Sequence, residues 1–140
     1  MDTDIIQQSI MGILPYLAHL GVALLLLVAF ILIYVKITPY PEISLIRSGN
    51  TAAACSLSGA TLGFAIPLAQ ATAQSGNLVD MLMWALIALV VQLVVYLLVR
   101  LIIPSIAKDI PDNRVAQGIF LGAVSLAAGL LSAACMSDGD

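Results

Sequence analysis

Long apolar runs broken by short polar connections set the pattern of this chain. The stretch Gly21–Val35, GVALLLLVAFILIYV, carries no charge and is ended by Lys36. It is the inner part of a run at about Gly12–Val35, and three more runs follow at about Thr51–Ala73, Leu78–Ile103 and Val115–Met136. Each is near the 20 or so residues that an α-helix needs to cross a bilayer. The second and fourth runs are rich in Ala and Gly, the first and third in Leu, Val and Ile. The pattern predicts an all-α membrane protein with four transmembrane helices and a single membrane domain over residues 1–140.

Within the second run, Ala52, Ser56, Gly59, Gly63 and Gln70 recur at helical spacing on one narrow face, with Pro67 beside it. In the fourth, Gly118, Gly122, Ser125, Gly129 and Ser132 keep a 4-3-4-3 spacing. Gly59–Gly63 and Gly118–Gly122 are GxxxG pairs, which let helix backbones approach in lipid. These stripes are the expected helix-packing surfaces. Pro67 cannot donate to the Gly63 carbonyl, so a kink is expected there, either as a hinge or as a packing shape.

The two halves overlay at an offset of 63 residues: Pro41 on Pro104, Asn50 on Asn113, Ala53 on Ala116, Gly59 on Gly122 and Ala60 on Ala123. Repeat one spans about 12–73 and repeat two about 78–136. Two spans per half imply parallel insertion, as two parallel two-helix repeats about an axis along the membrane normal. Asn50 is placed to cap the second span. The connection KITPYPEISLIRSGN predicts a short helix opened by Pro41 and lying in the membrane surface, and Gln74–Asp80 predicts a tight turn.

Composition sharpens this picture. The chain is 61% hydrophobic and 9% charged, with a net charge of −3. Soluble domains carry about 25% charged residues. All five basic residues flank the first and third connections: Lys36 and Arg47, then Arg100, Lys108 and Arg114. Asp2, Asp4, Asp80, Asp138 and Asp140 lie in segments without Lys or Arg. The positive-inside rule then makes the basic loops cytoplasmic and both termini outside, N-out and C-out. The acidic start preceding so long an apolar run does not read as a secretory signal, and no lipidation motif is present. Pro15 falls where a span's first turn tolerates it. Tyr16 and Trp84 mark the outer interface, and Tyr34, Tyr40 and Tyr96 the inner one, as an aromatic belt.

Candidate chemistry is sparse. His19 lies inside the first span, and an ionisable group there is a functional candidate. The plainer reading is a neutral His bonded to a neighbouring helix or reaching the interface. Gln92, Tyr96 and Arg100 share one face of the third span at i, i+4, i+8. With His19 and Gln70 they form a candidate polar track; alternatively each has its own structural role. Cys55 and Cys135 differ in depth by roughly 25 Å, too far to bridge. They are small packing residues, or Cys135 bridges two subunits on the oxidising face. There is no phosphate-binding glycine loop and no HExxH. One His and two distant Cys cannot build a zinc site, so no cofactor or metal is expected. Nothing is basic enough for nucleic acid.

The segments IYVKITPYPEISLIRSGNTAAACSLSGATLGFAIPLAQA, WALIALVVQLVVYLLVRLIIP and NRVAQGIFLGAVSLAAGLLSAACM together resemble the family called Domain of Unknown Function 350. The resemblance is most specific in ITP, NTAA, SGATLGFAIPL and the closing AACM. It implies four spans, a bacterial inner (plasma) membrane location and two copies of the domain. It also implies a gene neighbourhood with phage-shock-protein-A-like and ATP-grasp ligase genes, hence an envelope-stress association and a peripheral phage-shock-type partner at the cytoplasmic face. It brings no catalytic residue.

Three functions are therefore open. The favoured one is a self-associating helical interaction module, a homo-oligomer in membrane lipid and not an enzyme. The alternative is an oligomeric small channel or transporter for an ion or small solute, motivated by the repeat and by Ser56, Thr61, Gln70, Gln92 and Ser125. A membrane enzyme using His19 or Cys135 is the least supported.

Overall fold

The computed structural model describes residues 2–136, so Asp138 and Asp140 of the acidic tail lie outside the described residues. Six helices follow in order: α1 (Asp2–Ile37), α2 (Glu42–Arg47), α3 (Thr51–Gln74), α4 (Leu78–Ile102), α5 (Ile106–Asp109) and α6 (Val115–Met136). Helices α1, α3, α4 and α6 are long and apolar enough to cross a membrane. Among the described residues there is no strand.

The largest interface joins α3 to α6. Ala52 meets Gly118, Cys55 and Gly59 meet Gly122, and Gly63 meets Ser125 and Gly129, so both helices run in the same direction. A Cβ on Gly59 would overlap the Gly122 backbone, and one on Gly129 would overlap that of Gly63. One on Gly118 would lie 2.7 Å from the Ala52 Cα. The seam is therefore backbone against backbone. In lipid no hydrophobic force draws helices together, so this close approach supplies the dispersion that holds them. At each step a carbonyl of one helix faces a glycine of the other, the arrangement of Cα–H···O contacts, each worth about 0.5–1 kcal/mol. Pro67, buried and passed by α3 without a break, leaves the Gly63 carbonyl without its helical N–H, and that carbonyl lies against Gly129.

Helix α4 packs its buried face, Met81, Ala85, Ala88, Gln92, Tyr96 and Val99, against α3 and α6. Helix α1 packs mainly on α3, where Phe30 stacks on Phe64 with centroids 4.5 Å apart. Asp2 and Asp4 in the first turn and Lys36 in the last suit the dipole of α1. Because α1 starts at Asp2, Pro15 lies inside the helix rather than in its first turn.

Two turns at the loop end lock the hairpins together. Helix α2 is closed by Ser48 and then Gly49, whose φ is +93°, and the Gly49 and Asn50 N–H groups bond back to Ile46 and Leu45. This is a Schellman closure, which requires a left-handed residue. Asn50 then caps α3 by accepting from the Ala53 N–H at 2.8 Å. Its Nδ2 donates to the carbonyls of Ile110 (3.0 Å) and Pro111 (3.2 Å) in the other half. Asn113, the sequence counterpart of Asn50, takes a different place. With φ +58° it is the left-handed residue of the second turn, structurally matching Gly49, while its Oδ1 accepts from the Ala52 N–H of α3. The helix starts Thr51 and Val115 are 64 residues apart, one more than the sequence offset, which puts Asn113 at the position of Gly49 rather than that of Asn50.

The α3–α6 seam yields a contrast. Gly59→Ala is expected to destabilise the purified protein by about 1–3 kcal/mol, because backbone must move. Gly12→Ala and Gly21→Ala, with nothing within 4 Å of the added carbon, are expected to be neutral or to stabilise by up to about 1 kcal/mol. Thermal or denaturant unfolding in one detergent measures both.

Candidate functional site

The sequence candidates separate in the structure. His19 is half-buried on α1 and its Nδ1–H donates to the Pro15 carbonyl at 2.9 Å, so its ring is held by its own helix. Gln70 is half-buried on α3, and Arg100 is exposed at the loop end of α4. Gln92 and Tyr96 are buried together on α4. The five do not line one path. Cys55 is half-buried and Cys135 exposed, both as free thiols.

Gln92 sits against the seam. Its Nε2 donates to the Ser125 carbonyl at 3.0 Å, and it fits only because Gly63 has no side chain: a Cβ there would lie 2.7 Å from Nε2. The Gln92 Oε1 and Ser125 Oγ have no hydrogen-bond partner. This glutamine ties α4 to α6 in the middle of the bundle.

One turn toward the loops lies a cluster that the sequence reading placed elsewhere. Tyr34, Tyr40 and Tyr96 do not form an interfacial belt. Their exposures are 0%, 4% and 0%, and Tyr34 and Tyr96 meet edge to face with centroids 5.7 Å apart. Glu42, on the first turn of α2, is 1% exposed. Helix α2 thus does not simply lie on the membrane surface: Ile43, Ser44 and Arg47 face outward while Glu42 points under the helix among the tyrosines. The single Ser56 hydroxyl proton of α3 is shared between Glu42 Oε1, at a long 3.4 Å, and the Ala53 carbonyl at 3.1 Å. Glu42 Oε2 and the Tyr34 hydroxyl have no partner, and the Tyr40 and Tyr96 hydroxyls reach only each other.

Burial pushes the Glu42 carboxyl up to about 8, against a small lowering by the Ser56 hydroxyl. Burial, followed by the nearby Glu42 charge, raises the Tyr40 phenol above its usual range. The residues of this cluster come from α1, the α1–α2 connection, α2, α3 and α4, so no local spacing announces them. The available signal was the concentration of hydroxyls around one acid, Tyr34, Tyr40 and Glu42, at a membrane-helix end. Among the described residues no group of three or more His, Cys, Asp and Glu side chains is placed to hold a metal ion.

The model of the family described as Domain of Unknown Function (DUF350) matches residues 8–136. The chain belongs to this family. It is 39% identical over 126 residues to the UPF0719 inner membrane protein YjfL of Escherichia coli strain K12, which covers 90% of this chain and 96% of that one. The protein of the same name from Escherichia coli O157:H7 matches to the same extent. No solved structure matches. The chain is thus a member, with four helices long and apolar enough to cross a membrane, of an uncharacterised family of inner membrane proteins.

The Glu42 environment makes stability depend on pH in a defined direction. The unfolded carboxyl has its ordinary pKa of 4.5, and the folded one about 8, so the folded state binds the proton more tightly. Stability is then highest below about pH 4.5, falls as pH rises toward 8, and levels off above it. Glu42→Gln is expected to flatten that decline, measured by unfolding at a series of pH values.

Proposed function

We propose that the chain is a self-associating membrane interaction module of the bacterial inner membrane, with both termini outward and the basic connections in the cytoplasm. The observation that carries this reading is α1. Of its 36 residues only Phe30 and Tyr34 are buried. At 1.5 Å per residue it is about 54 Å long, against about 36 Å for α3 and a hydrocarbon core near 30 Å. The excess is at the amino-terminal side, since Pro15 and Tyr16 already stand beside Ala73 at the end of α3. Ile5, Ile6, Ile10, Met11, Ile13 and Leu14 lie on this overhang and are exposed. Lipid alone covers such a length only if the helix tilts strongly.

A groove of about 510 Å³ between α1 and α3, with Tyr16, Leu20, Leu24, Leu27 and Leu68 among its walls, is open along this face. A second copy of α1, apolar and of matching length, is the occupant we favour for it. The glycine seams are consumed within the protomer by α3 and α6, which removes them as a surface for other subunits and favours a module over a pore along that contact. All five basic side chains are exposed at the loop end, a face suited to an acidic peripheral partner such as the phage-shock type.

In a Cys55→Ala, Cys135→Ala background, Leu14→Cys and Leu25→Cys (on the exposed face of α1) are expected to give disulfide-linked dimers in native membranes. Ala60→Cys, buried in α3, is expected not to. Monomers at both α1 positions, together with a monomer mass in mild detergent, would count against the reading.

A further inference from the structure

The Glu42 cluster holds more polar chemistry than the fold requires. Glu42 Oε2 and the Tyr34 hydroxyl, both with almost no solvent contact, stand without hydrogen-bond partners, and the buried Tyr40 and Tyr96 hydroxyls have only each other within reach. None of the three phenols donates to the carboxylate, although each carries a proton that could. Leaving a single buried polar group unsatisfied costs about 1–3 kcal/mol, so two such oxygens beside a further pair of phenols call for a ligand.

The ligand's chemistry follows from the donors. They are all oxygen, which suits hard cations and not the softer transition metals. Around Glu42 stand Tyr34 from α1, Tyr40 from the connection, Ser56 from α3 and Tyr96 from α4, all neutral as phenols or hydroxyl. Arg100, one turn beyond Tyr96, is exposed and its charge reaches the Tyr96 hydroxyl, but no basic side chain among the described residues pairs with Glu42. The site thus carries at most one negative charge. A monovalent cation would neutralise it, whereas a divalent one would leave a net buried positive charge at large desolvation cost.

We propose that Glu42, with the hydroxyls of Tyr34, Tyr40 and Tyr96, forms a binding site for one partly dehydrated alkali cation, Na⁺ or K⁺, at the loop end of the bundle. The ion would bridge α1, α2 and α4 and hold α2 in its folded-back position. A proton on Glu42 removes the charge that binds the ion, so the two compete. The site is independent of self-association: an ion can bind whether or not copies associate through α1.

The test is thermal unfolding of the purified full chain in NaCl, KCl or N-methyl-D-glucamine chloride at equal ionic strength, at pH 6 and pH 9. In wild type at pH 9, Na⁺ or K⁺ or both are expected to raise Tm by about 3 °C or more over N-methyl-D-glucamine. The shift is expected to shrink at pH 6, to vanish in Glu42→Gln, and to fall in the Tyr34→Phe, Tyr96→Phe double variant. The readout is each variant's response to the ion, so a change in its basal Tm does not confound it. Equal Tm in all three salts at pH 9, or an ion-specific shift retained by Glu42→Gln, would overturn the site. A pH response with no dependence on the cation would leave a titrating carboxylate only, and would overturn it as well.

Discussion

Two helices in lipid gain nothing hydrophobic by meeting, so what joins α3 to α6 must come from closeness itself. That closeness is possible only where neither helix carries a side chain. Gly59 against Gly122, Gly63 against Gly129 and Gly118 against Ala52 bring backbone to backbone and carbonyl to Cα. Everything else in the bundle is arranged around this contact. Helix α4 lies across both partners and pins them through Gln92, whose carboxamide occupies the space that Gly63 leaves empty. Helix α1 rests on α3 through the stacked rings of Phe30 and Phe64 and meets α4 through Tyr34, and most of its surface is left open.

The seam also fixes where polar chemistry can lie. Because α3 and α6 run in parallel, both begin at the loop end, and their amino termini must be closed side by side. The reciprocal bonds of Asn50 and Asn113 do this, each asparagine reaching into the opposite hairpin. The Schellman turn at Gly49 reverses the chain tightly enough to fold α2 back over the end of the bundle. That reversal carries Glu42 under the helix, among tyrosines from three segments. A carboxyl in such a place has a pKa moved by burial and unmet hydroxyls around it, which is the combination that distinguishes a site from a scaffold.

The four spans and the glycine stripes were legible because both are periodic and local. A run of some 20 apolar residues has few alternatives, and glycine at every fourth position marks a face whatever it packs against. The capping role of Asn50 was legible for the same reason, as a side chain acting on its own helix. The long-range roles were not. Asn113 matches Asn50 in sequence yet serves as the left-handed residue of its turn, because the second hairpin is one residue out of step. The tyrosines at 34, 40 and 96 look like belt residues by type and depth, and only the packing of α1 and α4 against α3 turns them inward. Glu42 reads as a surface acid since it stands in a short polar connection, and its burial is a product of the α2 reversal.

Glycine-selective ¹³Cα labelling and magic-angle-spinning NMR in lipid bilayers test the seam most directly. The Gly59 Cα lies 3.6 Å from where a Cβ would stand on Gly122, so the two labelled carbons are close neighbours. Cross-peaks between Gly59 and Gly122, and between Gly63 and Gly129, are predicted, while Gly12, Gly21 and Gly76 should show none to any of these. Absence of both seam cross-peaks in a sample whose glycines are otherwise resolved would contradict the account.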